Sequence, residues 1–271
     1  MDAPKRTVIY VSDGTGITVE TLGHGLLAQF DGIEFRAIRF PFLDTLDKAQ
    51  ECLARINELY ESEGVTPIVI MTVTNNEISA LIHQGQAYFI DLFDAFIAPL
   101  EEELGAKYSR AVGRSHSQAH PQYDKRIAAM NFALAHDDGV SDADLKSADI
   151  ILVGVSRSGK TPTSLYLSLQ FSLKAANYPL IPEDFERNEL PSRLLQYRSK
   201  LFGLTIAPEQ LHRIRNERRP NSKYSSLENC RYEVAAAERM MRREGIKWFE
   251  TTSRSIEELA VQLMQELSLD H

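Results

Sequence analysis

Short apolar runs alternate along the chain with longer segments whose apolar residues recur every three or four positions. The clearest runs lie at 7–11, 67–71, 150–153 and 201–206. Turn residues bound these runs, and uninterrupted apolar strands are typical of parallel sheets that helices cover on both faces. The alternation therefore predicts an α/β fold with parallel sheets.

The helical segments predict which side chains face these sheets. The helix after residue 16 places four apolar residues on one side: Leu22, Leu26, Leu27 and Phe30. The helix after residue 161 repeats leucine at four-residue spacing: Leu165, Leu169 and Leu173. Asp91 ends another apolar run, and an aspartate at such a place more often caps the next helix than holds a metal.

Residues 154–161 read Gly-Val-Ser-Arg-Ser-Gly-Lys-Thr and complete the phosphate-binding pattern G-x-x-x-x-G-K-[ST] between a strand and a helix. Gly154 and Gly159 would let successive backbone N–H groups converge on phosphate oxygens. Lys160 would reach the terminal phosphates, and Thr161 would offer its hydroxyl to Mg²⁺. We expect the whole loop to bind nucleotide: Gly154, Val155, Ser156, Arg157, Ser158, Gly159, Lys160 and Thr161.

Phosphoryl transfer also needs positive charge near the phosphates, and Arg157, inside the loop, is expected to act with Lys160. Further arginines follow along the chain: Arg213, Arg215, Arg218 and Arg219. They could form a mobile lid over the phosphates or the solvated face of a helix, and the sequence leaves both open.

A base or positioning group for the nucleophile is the remaining requirement. The candidate carboxylates are Asp13, Asp137 and Asp138. Asp13 is expected to be catalytic, although a lone aspartate in a turn more often caps a helix. It begins a turn that also contains Gly14 and Gly16, but Val19 takes the third glycine position of the dinucleotide fingerprint. A Rossmann cofactor site is therefore weakly indicated, and a tight turn is an equal alternative.

Composition narrows the class of protein. The chain has 271 residues, 43% hydrophobic and 25% charged, which is typical of a folded soluble protein. A net charge of −8 argues against a nucleic-acid surface. We find no membrane span or signal-peptide core, so cytoplasmic location is expected. Cys52 and Cys230 are expected only to pack. His116, His120 and His136 lack zinc-site spacing, so a structural metal is not expected.

Between residues 107 and 148 the sequence is polar and lacks a regular hydrophobic pattern. We therefore predict an N-terminal Rossmann-like α/β domain at 1–106, a polar junction at 107–148 and a P-loop kinase-like α/β domain at 149–271. The N-terminal domain is expected to help bind the target.

The turn at 11–16 with Thr18 to Glu20, and the loop at 154–161 followed by Pro162 and Thr163, closely resemble the bacterial phosphoenolpyruvate synthase regulatory proteins. The related pyruvate, phosphate dikinase regulatory proteins share these motifs. The stretch from Arg126 to Gly139 is similar as well. The resemblance runs from about Thr7 to the last helix.

This resemblance implies a bifunctional serine/threonine kinase and pyrophosphorylase. Such proteins use ADP to phosphorylate a threonine of their target, which inactivates it, and use inorganic phosphate to remove the phosphoryl group as pyrophosphate. The expected target is phosphoenolpyruvate synthase, with pyruvate, phosphate dikinase as the alternative; a homodimer is left open. A small-molecule kinase and a nucleotide-gated binding protein without phosphoryl transfer are the rival hypotheses.

Overall fold

The computed structural model describes residues 5–108, 121–137 and 145–267. The chain divides into two compact units, Met1–Ser117 and Gln118–His271. Each unit contains a four-stranded sheet in which all strand pairs are parallel. The predicted two-part α/β fold with parallel sheets is therefore confirmed.

The first unit alternates strands and helices in this order: β1 Lys5–Ser12, α1 Ile17–Leu27, β2 Glu34–Phe40, α2 Leu46–Glu63, β3 Ile68–Thr72, α3 Asn76–Ile82, β4 Tyr88–Asp91 and α4 Leu92–Leu104. The strand order across the sheet is β2-β1-β3-β4. Asp91 caps α4 as predicted, since its Oδ1 accepts hydrogen bonds from the N–H groups of Phe93 (2.9 Å) and Asp94 (3.2 Å).

The second unit contains α5 Pro121–Ala135, β5 Ile150–Val155, α6 Lys160–Phe171, β6 Ala175–Leu180, α7 Pro182–Arg187, α8 Ser192–Leu195, β7 Leu201–Thr205, α9 Pro208–Arg218, α10 Leu227–Arg243, β8 Trp248–Glu250 and α11 Ile256–Glu266. Short 3₁₀ turns lie at Leu145–Ser147, Arg198–Lys200 and Lys223–Ser225. The strand order, β6-β5-β7-β8, repeats the connectivity of the first sheet.

The predicted buried face of α1 is confirmed only at Leu27, which is half-buried and packs on the core around Val8 and Tyr10. Leu22 and Leu26 are 39% and 44% exposed, and Phe30 lies beyond the helix end. The helix instead packs on the sheet through Val19 and Gly23. A Cβ at Gly23 would lie 2.5 Å from the Tyr10 ring, so the missing side chain lets the helix approach β1 closely.

The leucine spacing after residue 161 also misplaces the buried face of α6. Leu169 is 51% exposed, and Leu173 is buried but lies beyond the helix end. The buried face consists mostly of small hydroxyl residues around Leu167: Thr163, Ser164 and Ser168. Their hydroxyls donate to backbone carbonyls, which satisfies them without water. The spacing of apolar residues does not predict a buried face that consists of hydroxyl residues.

Part of the predicted junction at 107–148 is regular structure. Helix α5 spans Pro121–Ala135 and buries Ala129, Phe132 and Ala133. The division between the units falls at 117/118, so this helix belongs to the second unit. Among the described residues, no helix is long and apolar enough to cross a membrane.

Candidate functional site

The loop at 154–161 leaves β5 at the centre of the second sheet and leads into α6. A Cβ at Gly154 would lie 2.1 Å from the Leu204 carbonyl oxygen, so only glycine fits against β7. Gly159 caps α6 in the left-handed region with φ 89°, and Arg157 shares that region with φ 75°. This backbone turns the start of α6 toward the carboxyl ends of the strands, where parallel α/β sheets bind ligands.

Lys160 and Thr161 form the first turn of α6. The Lys160 side chain is buried, and its Nζ donates to the Val155 carbonyl oxygen at 2.8 Å, which folds it back over the loop. The first turn contains no acidic residue, and the helix N-terminus carries unpaired N–H groups and a partial positive charge. The start of α6 is therefore suited to an anion.

A cleft of about 450 Å³ lies over this turn. Its lining includes Ser156, Pro162 and Tyr224 beside the glycine and lysine of the loop. Among the described lining residues, every charged one is basic: Arg157, Lys160, Arg218 and Arg219. Converging positive charge of this kind attracts phosphate groups, for which arginine offers bidentate hydrogen bonds.

The arginine cluster of α9 divides into three environments. Arg218 and Arg219 line the cleft, whereas Arg213 is exposed and donates a hydrogen bond to Gln210 on the same helix. Arg215 is fully buried. Arg213 therefore matches the solvated face, Arg215 matches neither alternative, and a mobile lid formed by Arg218 and Arg219 stays a prediction.

Arg215 holds the loop in place through buried contacts. Its guanidinium donates to the Ser156 carbonyl oxygen (3.0 Å), the Tyr224 carbonyl oxygen (3.1 Å) and the Glu233 carboxylate (2.7 Å). It also lies 4.1 Å from the centroid of the Tyr224 ring, whose hydroxyl is 3.0 Å from Ser156 Oγ. A buried guanidinium with charged and carbonyl partners fixes the loop to α9 and α10.

Asp137 is brought to the loop by the end of α5. The Thr161 hydroxyl donates to Asp137 Oδ1 at 2.8 Å, and the Asn177 amide on β6 donates to both of these oxygens. Asn177 was not among the sequence candidates, although a lone polar residue within an apolar strand is a usable signal for a site. Asp138, the other candidate carboxylate here, lies outside the described residues.

Asp13 belongs to the first unit and ties two strand ends together. Its buried Oδ2 accepts from the Thr74 N–H at 2.7 Å and from the Thr74 hydroxyl at 2.6 Å. Ser12 makes a parallel link to Thr72, with 3.2 Å between the two hydroxyl oxygens. These contacts hold the 12–16 turn against the end of β3. A catalytic role for Asp13 stays a prediction.

A second cavity, of about 170 Å³, shares Arg157 and Gly159 with the basic cleft. Apolar side chains line much of it: Ile206, Ile214, Ile256 and Leu259. Gln210, Thr251, Thr252 and Arg254 add polar groups. Apolar walls with a few polar groups suit a flat heteroaromatic ring.

Three further candidates, His136, Cys52 and Cys230, pack in the interior. His136 stacks on Phe132 with 3.9 Å between ring centroids, and its Nδ1 lies 2.8 Å from the Phe132 carbonyl oxygen. Cys52 and Cys230 are free and buried, and burial raises the pKa of Cys52 to about 12. His116 and His120 lie outside the described residues. In the described ranges, no three His, Cys, Asp or Glu residues cluster to hold a metal.

Comparison with known sequences decides the family. The sequence model of the Kinase/pyrophosphorylase family matches residues 8–264, nearly the whole chain. The chain belongs to the kinase/pyrophosphorylase family. This membership supports a phosphotransferase-type activity and confirms the resemblance found in the 11–16 and 154–161 segments.

Curated relatives from the same family match the chain over nearly their full length. A protein of Aromatoleum aromaticum is 59% identical over 99% of this chain and 98% of its own length. One of an Azoarcus species is 59% identical over 98% and 97%, and one of Ralstonia nicotianae is 57% identical over 98% and 95%. Each carries the name "Putative phosphoenolpyruvate synthase regulatory protein".

Proposed function

We propose that this chain is an ADP-dependent serine/threonine kinase and phosphate-dependent pyrophosphorylase that regulates phosphoenolpyruvate synthase. The observation that carries the proposal is the basic cleft over the start of α6, where Lys160, Arg157 and the end of α9 converge. Family membership and the names of the relatives supply the two directions of the reaction and the target.

In the kinase direction, the target threonine hydroxyl attacks the β-phosphorus of ADP. The bond between that phosphorus and the bridging oxygen breaks, AMP leaves, and the threonine proton passes to a base. Lys160 and the N–H groups at the start of α6 would hold the β-phosphate, while Arg157 offsets the charge that develops on the transferred group. Arg218 and Arg219 line the same cleft and would add to this charge.

In the pyrophosphorylase direction, an oxygen of inorganic phosphate attacks the phosphorus of the phosphothreonine. The bond to the threonine oxygen breaks, that oxygen takes a proton, and pyrophosphate leaves. Inorganic phosphate would occupy the place of the nucleotide's phosphate, so the same cleft would serve both directions. A cleft of about 450 Å³ has room for two adjacent phosphates.

The second cavity supports a nucleotide as the ligand rather than phosphate alone. It continues from the cleft through Arg157 and Gly159, and its walls at Ile206, Ile214 and Leu259 are apolar. We place the nucleobase of ADP there, because a flat ring gains from burial between aliphatic side chains and can bond the polar groups at Gln210.

Magnesium is the expected metal, and the residues present fit it. The Thr161 hydroxyl is an oxygen donor of the type that Mg²⁺ prefers, and the Asp137 carboxylate lies in contact with it. When bound, Mg²⁺ would neutralise part of the phosphate charge. Thr161 would hold it beside the phosphates that Lys160 binds.

The direct test is transfer of a label from the β-position of ADP. Phosphoenolpyruvate synthase, pyruvate, phosphate dikinase and a set of free metabolites are offered separately, with γ-labelled ATP as the comparison donor. We expect label on a threonine of the synthase from ADP and none from ATP. Label only on the dikinase would change the target. Label only on a metabolite, or on nothing at saturating nucleotide, would favour a small-molecule kinase or a nucleotide-gated binding protein.

A further inference from the structure

The network around Thr161 contains an acidic group that the phosphate-binding motif does not predict. We propose that Asp137, aligned by Asn177, is the carboxylate of a divalent-cation site in which the Thr161 hydroxyl is the other protein group. The inference rests on the proposed nucleotide binding at the loop. It deepens that function by naming the carboxylate that would balance the positive charge of the metal ion.

The hydrogen bonds of Thr161 leave its hydroxyl oriented for a cation. Its proton is donated to Asp137 Oδ1, and one lone pair accepts from the Asn177 amide, each at 2.8 Å. A hydroxyl has one donor and two acceptor positions, so one lone pair remains. Asp137 and Asn177 therefore direct that lone pair as the outer contacts of a metal site do.

Asn177 holds the carboxylate in place from β6. Its side chain is buried, with 2% exposure, and its backbone N–H donates to the His136 carbonyl oxygen at 3.0 Å. The amide nitrogen faces two acceptors, Asp137 Oδ1 and Thr161 Oγ1, which fixes the orientation of the amide.

The other end of the Asn177 amide points to a further ligand. Its Oδ1 is buried and makes no hydrogen bond with the described residues. A buried acceptor without a partner destabilises the fold, and a donor that arrives with the ligand would satisfy it. Magnesium keeps several of its waters when it binds. A metal-bound water would supply that donor.

The neighbouring strand beside the loop supplies no acid of its own, since residues 201–207 contain neither aspartate nor glutamate. The neighbouring strand β7 ends at Thr205, followed by Ile206 and Ala207, and the Thr205 hydroxyl donates to Glu238 at 2.9 Å. A Mg²⁺ ion is ordinarily bound through one or two carboxylates together with substrate phosphates. Asp137 enters from the end of α5, on the chain before β5, and meets this requirement.

The test compares Asp137→Asn with Asp149→Asn in the full chain. Asp149 is an exposed carboxylate at the opposite, amino end of β5, where its Oδ2 accepts from the Lys174 N–H at 2.8 Å. Mn²⁺ is the probe, followed by electron paramagnetic resonance with and without ADP. ADP binding is also titrated in excess EDTA, and thermal unfolding checks the fold.

We expect Asp137→Asn to weaken Mn²⁺ binding in the presence of ADP by roughly 10- to 100-fold, the usual effect of removing a supporting group of a metal site. Affinity for ADP in EDTA should stay within about twofold, and Asp149→Asn should match the parent in both. If Asp137→Asn does not fold, Asp137→Glu keeps the charge and should retain measurable Mn²⁺ binding with a changed spectrum.

Unchanged Mn²⁺ binding in a folded Asp137→Asn would overturn the inference, even if the variant had lost phosphoryl transfer, because the carboxylate would then act as a base. Failure of the parent to bind Mn²⁺ with ADP would overturn it as well. Loss of Mn²⁺ in the variant, combined with a parent that labels no target protein, would support the metal site and contradict only the proposed function.

Discussion

The two units place a glycine-containing turn at the same point of the same strand order. Each turn follows the strand that lies second in its sheet, β1 or β5, and each ends in a left-handed glycine that caps the next helix. Gly16 has φ 80° and Gly159 has φ 89°. In both cases this is the position where open α/β sheets bind ligands.

The two turns differ in the side chains that surround them. In the second unit the capping glycine precedes Lys160, the first helical turn has no acid, and four basic residues face the cleft. In the first unit the glycine precedes Ile17, and the first helical turn carries Glu20, which pairs with Arg39. A carboxylate at a helix start competes with an incoming anion. The same backbone shape is therefore combined with opposite charges at the two helix starts.

Among the variants that distinguish the two turns, Lys160→Ala is expected to have the largest effect. We expect Lys160→Ala to abolish transfer in both directions and to weaken ADP binding by roughly 10- to 100-fold, since a charged hydrogen-bond partner of the phosphates is lost. Ile17→Ala changes the corresponding position of the first unit and should leave ADP affinity unchanged. Calorimetric titration and the two transfer assays measure this. Retained pyrophosphate formation in Lys160→Ala would require a second phosphate site.

Loss of the buried Arg215 contacts with the second turn is expected to have the next largest effect. Arg215→Ala leaves Glu233 buried without its partner and should lower the free energy of unfolding by about 3–5 kcal/mol. Arg213→Ala, two residues earlier and exposed, should change it by less than about 0.5 kcal/mol. Urea unfolding of both variants measures the difference. Equal stabilities would mean that Arg215 does not fix the loop.

Alanine substitutions at Gly154 and Gly14 test how tightly each turn is packed. Gly154→Ala would place a Cβ 2.1 Å from the Leu204 carbonyl oxygen and should destabilise the second unit by about 1–3 kcal/mol. Gly14→Ala meets nothing closer than Ser12 Oγ at 3.8 Å and should be tolerated. Thermal melts decide between them. An equally large loss for Gly14→Ala would show that the first turn is also tightly packed.

Asp13→Asn is expected to have the smallest effect. The amide oxygen can still accept from Thr74, so we expect a loss of about 1 kcal/mol in unfolding free energy. If Asp13 only ties the two strand ends together, turnover should stay within a few-fold of the parent. A general base would instead contribute roughly a hundredfold to ten-thousandfold in rate. A rate loss of that size with an unchanged melting temperature would support the catalytic role of Asp13 that the sequence predicts.

Local pattern predicted much of the fold. The runs at 67–71 and 150–153 correspond to β3 and β5, and the loop before Lys160 leads directly into α6. The buried faces of α1 and α6 escaped prediction because glycine and hydroxyl residues, rather than leucines, pack against the neighbouring elements.

The site was predicted only as far as it is local in sequence. The 154–161 spacing is a short motif, so its backbone follows from adjacent residues. The contacts of Thr161 with Asp137 and Asn177 span 24 and 16 residues. The link from Arg215 to Ser156 spans 59. Such contacts depend on which strands and helices become neighbours, and residue type alone does not specify that.

Competition between ADP and inorganic phosphate tests most directly the claim that a single basic cleft serves both directions. The parent protein is titrated with ADP at a series of phosphate concentrations, with Mg²⁺ held constant. One shared cleft predicts that the apparent dissociation constant for ADP rises linearly with phosphate concentration from its value without phosphate, with no change in the number of sites. An ADP affinity that is independent of saturating phosphate would contradict the claim.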